Sequence, residues 1–282
     1  METDGMNQLL SQIPKTTDQP VPAVCVLIPV WKDQTGLSRT LEVLARDPLP
    51  FDITVVDDGS PTPITCPGLV GTHPVTLLRL PCNQGIEHAL NAGLRLILER
   101  GYRYVARLDC ADVPFEGRIA RQAEYLDVHP RVGVLGTWAR CVDDAGTYLF
   151  TLRLPADHAG ISRRQRYVAA LLHPTVMIRA EALRVAGLYT DRYKAAEDHE
   201  LFLRIGRWYE LANLPEALTE YVVSTEGTTT LRRRRTLVSR FRLLRDTFEP
   251  ADPHAWLGLG RTLALMAVPF GLVTAVKRRV WR

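Results

Sequence analysis

The chain lacks several features that mark secreted, zinc-binding and membrane-spanning proteins. Its five cysteines include no CxxC pair, which argues against a disulfide framework and a thiolate zinc site. The first 20 residues are polar and contain no apolar core, so no secretory signal peptide is predicted. The uninterrupted apolar run at 262–276 has 15 residues, fewer than the roughly 20 that span a bilayer. We therefore expect the main domain to lie in the cytoplasm.

The composition and the charge distribution narrow the class of protein. A chain of 282 residues that is 46% hydrophobic and 23% charged is neither disordered nor collagen-like, and it is long enough for one large α/β domain with an appendage. From position 232 onward, 12 Lys or Arg face 3 Asp or Glu, a balance of +9 that leaves −5 for residues 1–231 of a chain whose net charge is +4. Because the main domain is mildly acidic, we do not expect a nucleic-acid partner.

Apolar runs rich in β-branched residues alternate with segments in which the apolar residues have helical spacing. Strands are predicted at 24–30, 53–56, 75–80, 105–108, 132–136 and 174–178, with helices between them and a short helix at 180–185. This alternation predicts βαβ units and a mainly parallel sheet flanked by helices. The polar segment 138–165 is expected to form loops, and a later helix is expected to carry Leu201, Ile205 and Trp208 on one side.

Acidic residues flank three of these elements. They are the pairs Asp57 and Asp58, Asp109 and Asp112, and Glu197 and Asp198. Carboxylates at the carboxyl ends of parallel strands face the crevice in which open α/β sheets bind ligands, and a close pair is most stable when a cation neutralises it. Each cluster alone is equally explained by a solvated turn or by helix capping, which contributes about 0.3–1 kcal/mol per charge.

The motifs VVDDGS (55–60), RLDCAD (107–112) and AEDHELFLR (196–204), in that order, resemble the family 2 glycosyltransferases, which have the nucleotide-sugar-binding GT-A fold. Four companion segments strengthen the resemblance: VLIPVW, NQGIEHALNAGL, EGRIARQ and HPTVMIR. The resemblance covers about residues 24–226. The predicted organisation is a GT-A domain at 23–227, as the resemblance implies, between a flexible N-terminal arm at 1–22 and a basic helical tail at 228–282, as the composition indicates.

The resemblance also implies a role for each motif in a hexosyltransferase-type reaction. Asp109 and Asp112 would bind the Mn²⁺ or Mg²⁺ that holds the diphosphate of a nucleotide diphosphate sugar. Asp198, with Glu197 as its neighbour, would act as the general base that lets an acceptor hydroxyl attack the anomeric carbon and invert it. The acceptor would be a lipid-linked sugar or a polysaccharide precursor. Nucleotide contacts are implied at Pro29, Asp57, Asp58, Asn83, Gly85, Arg107 and Asp109.

Two positions depart from the family pattern. Ala111 stands where the metal loop is commonly acidic, and Ser224 stands where a histidine is common, so strict metal dependence is less firmly predicted than the fold. The alternative is therefore a catalytically weakened domain that binds a nucleotide sugar or a glycan. A nucleotidyltransferase is disfavoured because no Gly-rich, basic loop follows the first strand, and the absence of a Gln-x-x-Arg-Trp motif argues against a processive synthase.

The remaining candidate residues are better explained as structural. His88, His173 and His199 have no paired ligand spacing that would predict a metal site. Cys110 lies among acids, which raise a thiol pKa and oppose nucleophilic use. Arg204 is expected to hold its helix in place or to pair with an acid.

The C-terminal segment has the pattern of a basic amphipathic helix. Residues 228–248 carry seven arginines around an apolar face made by Leu237, Phe241, Leu244 and Phe248, and an apolar stretch at 256–276 follows. This pattern predicts peripheral attachment to an anionic membrane at its cytoplasmic face. The alternative is a pair of helices that fold back on the catalytic domain.

Overall fold

A computed structural model of the chain describes residues 22–110, 112–223 and 233–268. Within these ranges ten strands form one sheet. The strands are β1 (Val24–Val30), β2 (Asp52–Asp57), β3 (Leu69–Val70), β4 (His73–Arg79), β5 (Tyr104–Arg107), β6 (Val113–Pro114), β7 (Val132–Val142), β8 (Tyr148–Leu152), β9 (Met177–Arg179) and β10 (Glu210–Val222). The helices are α1 (Gln34–Leu44), α2 (Ile86–Glu99), α3 (Arg118–Val128), α4 (His158–Gln165), α5 (Ala180–Ala186), α6 (Glu197–Ile205), α7 (Arg233–Asp246) and α8 (Pro253–Ala267).

The sheet is mainly parallel, as the sequence predicts. Its strand order is β3-β4-β2-β1-β5-β9-β7-β10-β6, and β8 pairs with β7. The strands β4, β2, β1 and β5 are mutually parallel, β9 runs antiparallel between β5 and β7, and β10 is parallel to β7. The carboxyl ends of β1, β2 and β5 therefore meet at one edge of the sheet, where the acidic motifs follow β2 and β5.

Two apolar layers cover the two faces of the sheet. Along β1, Val24, Val26 and Ile28 belong to the layer that also contains residues of α1 and α3. The intervening Cys25 and Leu27 belong to the opposite layer, which contains residues of α2, α5 and α6. Every residue of β1 is buried, because a parallel strand with helices on both sides has no solvent-facing side.

The prediction of loops at 138–165 is wrong. There β7 continues to Val142, β8 returns antiparallel to it, and α4 begins at His158. Polar residues occur in these strands because β7 and β8 include half-buried positions at which a polar side chain reaches water. At the half-buried Trp138, the polar group finds a partner within the protein instead, because the indole N–H donates to the Leu154 carbonyl at 2.8 Å.

Three further differences concern the second half of the sheet. The predicted strand at 174–178 divides into a 3₁₀ turn at His173–Thr175 and the short strand β9. The helix α6 ends at Ile205, so Trp208 lies beyond it and is 70% exposed. The long strand β10 is not anticipated by the sequence pattern, because Pro215 and Glu216 interrupt it where its register against β7 shifts.

The described part of the tail folds back on the domain. Leu243 of α7 packs with Tyr193 and Ala196, and Asp246 accepts hydrogen bonds from Arg192 and from the hydroxyl of Tyr193. On α8, Gly258 lies so close to the Arg166 carbonyl that an added Cβ would be 2.2 Å from it. Within the described ranges, none of the helices has the length and apolar character that crossing a bilayer requires.

Candidate functional site

The pair Asp57 and Asp58 ends β2 and begins a tight turn. Asp57 is fully buried, and its carboxylate accepts hydrogen bonds from the backbone N–H groups of Ser60 at 2.9 Å and Ile64 at 3.2 Å. Arg79 of β4 donates to the same carboxylate. Gly59 has a φ of +61° and lies against the backbone of residue 82, so a side chain would not fit there. Asp57 thus fixes the turn that presents its neighbour.

Asp58 connects this turn to the start of α2. Its carboxylate accepts hydrogen bonds from the Asn83 side chain at 2.8 Å and from the backbone N–H groups of Gln84 at 2.8 Å and Gly85 at 3.0 Å. Gly85 adopts a φ of +106° as the N-cap of α2. Three of the predicted nucleotide-binding positions, Asp58, Asn83 and Gly85, therefore adjoin one another. Pro29, a fourth, is buried within β1 beside Val56.

The second acidic pair follows β5. Arg107 is buried at the end of this strand and donates through Nη2 to Asp109 Oδ1 at 2.6 Å. The Asp112 carboxylate accepts from the Val222 backbone N–H at 3.4 Å through Oδ1, and its Oδ2 is buried with no hydrogen-bond partner in the described structure. Burial, and then the negative charge of Asp109, raise the pKa of Asp112 well above 3.8.

Buried polar side chains of α3 hydrogen-bond the backbone at the start of this loop. Arg118 donates through Nη2 to the Arg107 carbonyl at 2.8 Å and through Nε to the Gln122 side chain at 3.0 Å. Gln122 in turn donates to the carbonyls of Leu135 at 2.7 Å and Thr175 at 2.9 Å. Because Arg118 and Gln122 are one helical turn apart on α3, the motif EGRIARQ connects the end of β5, the strand β7 and the 3₁₀ turn at His173–Thr175.

The third acidic pair opens α6. Glu197 is 7% exposed, and its Oε2 is buried without a hydrogen-bond partner among the described residues. Asp198 Oδ1 accepts from the backbone N–H of His199 at 2.7 Å, as expected for an acid in the first turn of a helix. Ala195, two residues before the helix, has a φ of +67°, which is unfavourable for a residue with a Cβ.

The guanidinium of Arg107 connects the two acidic pairs electrostatically. Burial raises the pKa of Asp112, of Glu197 to about 8, and of Asp198. The positive charge of Arg107 opposes this rise at all three carboxyls. Its Nε and Nη1 atoms are buried and have no hydrogen-bond partner among the described residues. Such a group is suited to an anionic ligand bound between the two acidic pairs.

The loop after β5 has the donors for a divalent cation that is shared with a phosphate ligand. Asp112 contributes a buried, unpartnered oxygen, and Asp109 is partly exposed beside it. Over the described residues, no three His, Cys, Asp or Glu side chains are grouped as an all-protein metal site would require. Mg²⁺, however, commonly binds one or two carboxylates together with substrate phosphates and water. The two predicted ligands therefore fit such a cation. Ala111 and Ser224, which depart from the family pattern, lie outside the described residues.

Three of the side chains predicted to be structural, His173, His199 and Arg204, form hydrogen bonds within the domain. His173 Nε2 hydrogen-bonds the Tyr189 hydroxyl at 2.8 Å, and His199 Nε2 hydrogen-bonds the Gln165 carbonyl at 2.8 Å. Arg204 pairs with Glu200 and donates to the carbonyls of residues 186 and 188. Burial, and then nearby acids beginning with Asp33, raise the pKa of the Cys110 thiol.

One residue next to the candidate site is missed by sequence reasoning. Arg240 of α7 belongs to the predicted amphipathic tail, where its charge is one of seven and carries no distinguishing signal. Its Nε is nevertheless buried without a hydrogen-bond partner in the described structure, and its charge acts on Asp198. Only the packing of α7 against the start of α6 reveals this proximity.

Comparison with known proteins places the chain in a family. The family model described as glycosyl transferase family 2 matches residues 25–185, more than half of the chain. The amylovoran biosynthesis glycosyltransferase AmsE of Erwinia amylovora is 32% identical over 146 residues, which are 51% of this chain and 53% of AmsE. The chain thus spans about half the length of this curated relative.

Solved structures share the fold at lower sequence identity. The structure of residues 1–349 of S. aureus TarS in complex with UDP-GlcNAc superposes with a TM-score of 0.62 at 18% identity, over 85% of this chain and 71% of that chain. The mannosyltransferase PcManGT from Pyrobaculum calidifontis, in complex with GDP-Man and Mn²⁺, gives a TM-score of 0.59 at 17% identity, over 99% and 87%. The chain belongs to glycosyl transferase family 2 and has the GT-A fold.

Proposed function

We propose that the protein is an inverting glycosyltransferase that moves a sugar from a nucleotide diphosphate donor to a hydroxyl of a lipid-linked or polysaccharide-precursor acceptor. The observation that carries this proposal is the buried guanidinium of Arg107 between two pairs of carboxyls. One pair, Asp109 and Asp112, lies at the strand edge where α/β sheets bind ligands. The other, Glu197 and Asp198, opens α6. A diphosphate and a reacting hydroxyl would occupy the two sides of this arginine.

The proposed reaction is a single displacement. Asp198 accepts the proton of the acceptor hydroxyl while the oxygen forms a bond to the anomeric carbon from the side opposite the nucleotide. The bond between that carbon and the diphosphate oxygen breaks, and the leaving diphosphate takes the electron pair. Arg107 stabilises the negative charge that develops on this oxygen. A divalent cation held by Asp109 and Asp112 would add positive charge at the diphosphate.

The two acids of α6 would have different roles because their ionisation differs. Burial, followed by the charge of Asp198, raises the pKa of Glu197 to about 8, so this carboxyl is largely protonated at neutral pH. A protonated Glu197 avoids a second negative charge beside Asp198, which then remains the ionised member of the pair. Burial also raises the pKa of Asp198, which brings a general base closer to its working pH.

The donor half of the site would use the turn after β2. Asp58, Asn83 and Gly85 adjoin one another at the edge of the sheet next to β1. We assign the base and ribose to this region, together with Pro29 and the turn fixed by Asp57.

TarS was solved with UDP-GlcNAc and PcManGT with GDP-Man and Mn²⁺, so donors with either base are candidates for this chain. The relative AmsE is an amylovoran biosynthesis glycosyltransferase, which supports a polysaccharide-precursor acceptor. The family match does not favour the alternative of a binding domain without transfer.

A donor panel tests the proposed function. Uridine, guanosine and thymidine diphosphate sugars would be offered with and without Mn²⁺, and release of the nucleoside diphosphate would be measured. One donor class should be turned over, and Asp198→Asn should reduce turnover by about 10² to 10⁴ while its nucleoside diphosphate affinity stays almost unchanged. Binding of a nucleotide sugar with no turnover under any condition would instead support the binding-domain alternative.

We further propose that the enzyme works at an anionic membrane surface. Leu237, Leu243 and Leu244 of α7 are buried against the domain and are not available to lipid. The helix α8, by contrast, exposes Trp256 (60%) and Leu257 (53%) together with two further apolar side chains, Leu263 and Met266. Residues from 232 onward carry a balance of +9, and each well-placed basic residue contributes on the order of 1 kcal/mol of attraction to an anionic leaflet.

Vesicle co-sedimentation tests this location with the full chain. Wild type should sediment with phosphatidylglycerol vesicles at low salt and less at high salt, since ions screen charges over about 8 Å at physiological strength. The double variant Trp256→Ser, Leu257→Ser should sediment less than wild type at both salt concentrations, because only the charge attraction remains. The matched control is Trp208→Ser, which removes another exposed tryptophan from a different surface. Equal sedimentation of all three proteins would contradict a membrane role for α8.

A further inference from the structure

The helix α7 brings a charged group next to the candidate general base from outside the family-matched segment. The match ends at residue 185, whereas Arg240 lies on α7. Its Nε is buried and has no hydrogen-bond partner among the described residues. A guanidinium N–H that is buried without a hydrogen-bond partner is unfavourable unless a negative charge compensates it. The position of this arginine therefore needs a functional explanation.

Packing between α7 and the start of α6 sets the position of Arg240. Leu243, three residues further along α7, contacts Ala196, which is the N-cap of α6 and directly precedes Glu197. Residues three apart lie on the same helix face, so Arg240 points to the side of α7 on which α6 begins. The charges agree with this placement. Burial raises the pKa of Asp198, and the charge of Arg240 opposes this rise.

Arg240 differs from the other groups that face Asp198. The other groups are Glu197 on α6, Arg107 from β5, Tyr189 from the loop after α5 and Tyr221 from β10, and His199 directly follows Asp198 on α6. Burial lowers the pKa of His199 to about 4, so this imidazole is neutral near pH 7. Arg107 interacts with carboxyls of both acidic pairs, because it forms an ion pair with Asp109 and its charge also acts on Asp112 and Glu197. For Arg240, burial lowers the pKa, and Asp198 is the carboxylate that opposes this shift.

We propose that Arg240 is a positioning residue for the general base, which keeps the Asp198 carboxylate charged and directed at the acceptor hydroxyl. This inference rests on the proposed function of Asp198. The helix α7 then completes the active site from outside the segment that defines the family. Loss of Arg240 leaves the donor edge intact, because the residues that bind the diphosphate belong to other elements.

The first test is the pH dependence of donor turnover in wild type, Arg240→Gln and Arg240→Lys. Without the cation, Asp198 takes up a proton at higher pH, so the acidic limb of kcat/KM should move upward. At pH 6 the Gln variant should lose roughly three- to tenfold in kcat/KM, with a smaller loss at pH 8 and little change in donor KM. The Lys variant should restore most of the wild-type profile. Arg242→Gln is the matched control, since Arg242 is exposed on the same helix.

The second test does not depend on turnover. Thermal unfolding of wild type, Arg240→Gln, Asp198→Asn and the double variant forms a cycle, which isolates the interaction between the two side chains. The effect of Arg240→Gln on Tm should differ by about 2–4 °C between the wild-type background and the Asp198→Asn background. The same cycle with Arg242→Gln should be additive.

The two tests separate this inference from the proposed function. If wild type turns over no donor, the proposed function fails, and the cycle still decides whether Arg240 interacts with Asp198. Additive Tm effects at Arg240, or a pH profile of Arg240→Gln that matches wild type, would overturn the inference. A coupled cycle together with a shifted acidic limb that lysine restores would support it.

Discussion

The substitution Glu197→Gln isolates the buried proton that we assign to Glu197. Glutamine has nearly the shape of the protonated carboxyl and cannot ionise. The side chain is 7% exposed, and its Oε2 is buried without a partner among the described residues, so ionisation there is unfavourable. The variant should therefore resemble wild type below pH 4.5 and be increasingly more stable than wild type as the pH rises toward 9.

The pKa of Glu197 sets the size and the direction of this effect. Burial, and then the charge of Asp198, raise this pKa from 4.5 to about 8. The folded state thus binds the proton more tightly than the unfolded chain does. The resulting stabilisation is fully present below pH 4.5 and is lost as the pH rises through about 8. The pKa difference corresponds to roughly 5 kcal/mol of unfolding free energy. Wild type should lose this stability toward pH 9, and Glu197→Gln should retain it.

Thermal unfolding from pH 5 to pH 9 measures the effect. At pH 9 the variant should unfold about 10 °C or more above wild type, because each 1 kcal/mol shifts the Tm of a protein of this size by about 2–4 °C. Glu124→Gln is the control, since Glu124 is exposed on α3 and its substitution should leave the pH dependence unchanged. Parallel pH curves for wild type and Glu197→Gln would refute a buried proton at this position. Loss of turnover at pH 7 as complete as that in Asp198→Asn would make Glu197 the base.

Two further substitutions test the donor and metal edge. Burial, and then the charge of Asp109, raise the pKa of Asp112 well above 3.8. The stability that the bound proton contributes is therefore lost as the pH rises through that raised pKa. A bound cation should compensate this loss. Mn²⁺ with nucleoside diphosphate should then raise the Tm of wild type more at pH 8 than at pH 5.5, and Asp112→Asn should remove this difference. Equal Tm shifts in wild type and Asp112→Asn would argue against a cation at Asp112. Asp58→Ala removes three hydrogen bonds to residues 83–85 and should cost about 1–3 kcal/mol of stability. It should also weaken nucleoside diphosphate binding, which titration calorimetry would measure. Unchanged affinity would show that Asp58 is not part of the donor site.

The donor edge could be predicted from the sequence because its determinants are local. A buried parallel strand such as β1 is a continuous apolar run, and the acids that follow β2 and β5 are adjacent in sequence to the strands that position them. The companion motifs have mostly structural roles that the sequence does not reveal. Asn91, within NQGIEHALNAGL, exchanges two hydrogen bonds with the backbone of Tyr189, 98 residues away.

The elements that sequence reasoning missed depend on contacts between distant segments. The strand β10 is stabilised by its pairing with β7, and its own pattern is interrupted by Pro215. Arg240 is one of several arginines in a helix whose apolar face predicts burial but not the surface against which it is buried. A pattern of period 3.6 identifies the buried face of a helix and gives no information about its partner.

The loop at 187–196 connects the candidate base Asp198 to the C-terminal helices. At its start, Arg204 donates to the carbonyls of residues 186 and 188. Still near its start, the backbone of Tyr189 exchanges two hydrogen bonds with Asn91 of α2. Near its end, the Tyr193 hydroxyl donates to Asp246 of α7 at 2.8 Å, and two residues later the strained Ala195 leads into α6. Since the last of these anchors belongs to α7, displacement of that helix would release the segment that directs Glu197 and Asp198. The acceptor side of the proposed site would therefore depend on α7, whereas Asp57 and Asp58 are held by residues of the family-matched segment.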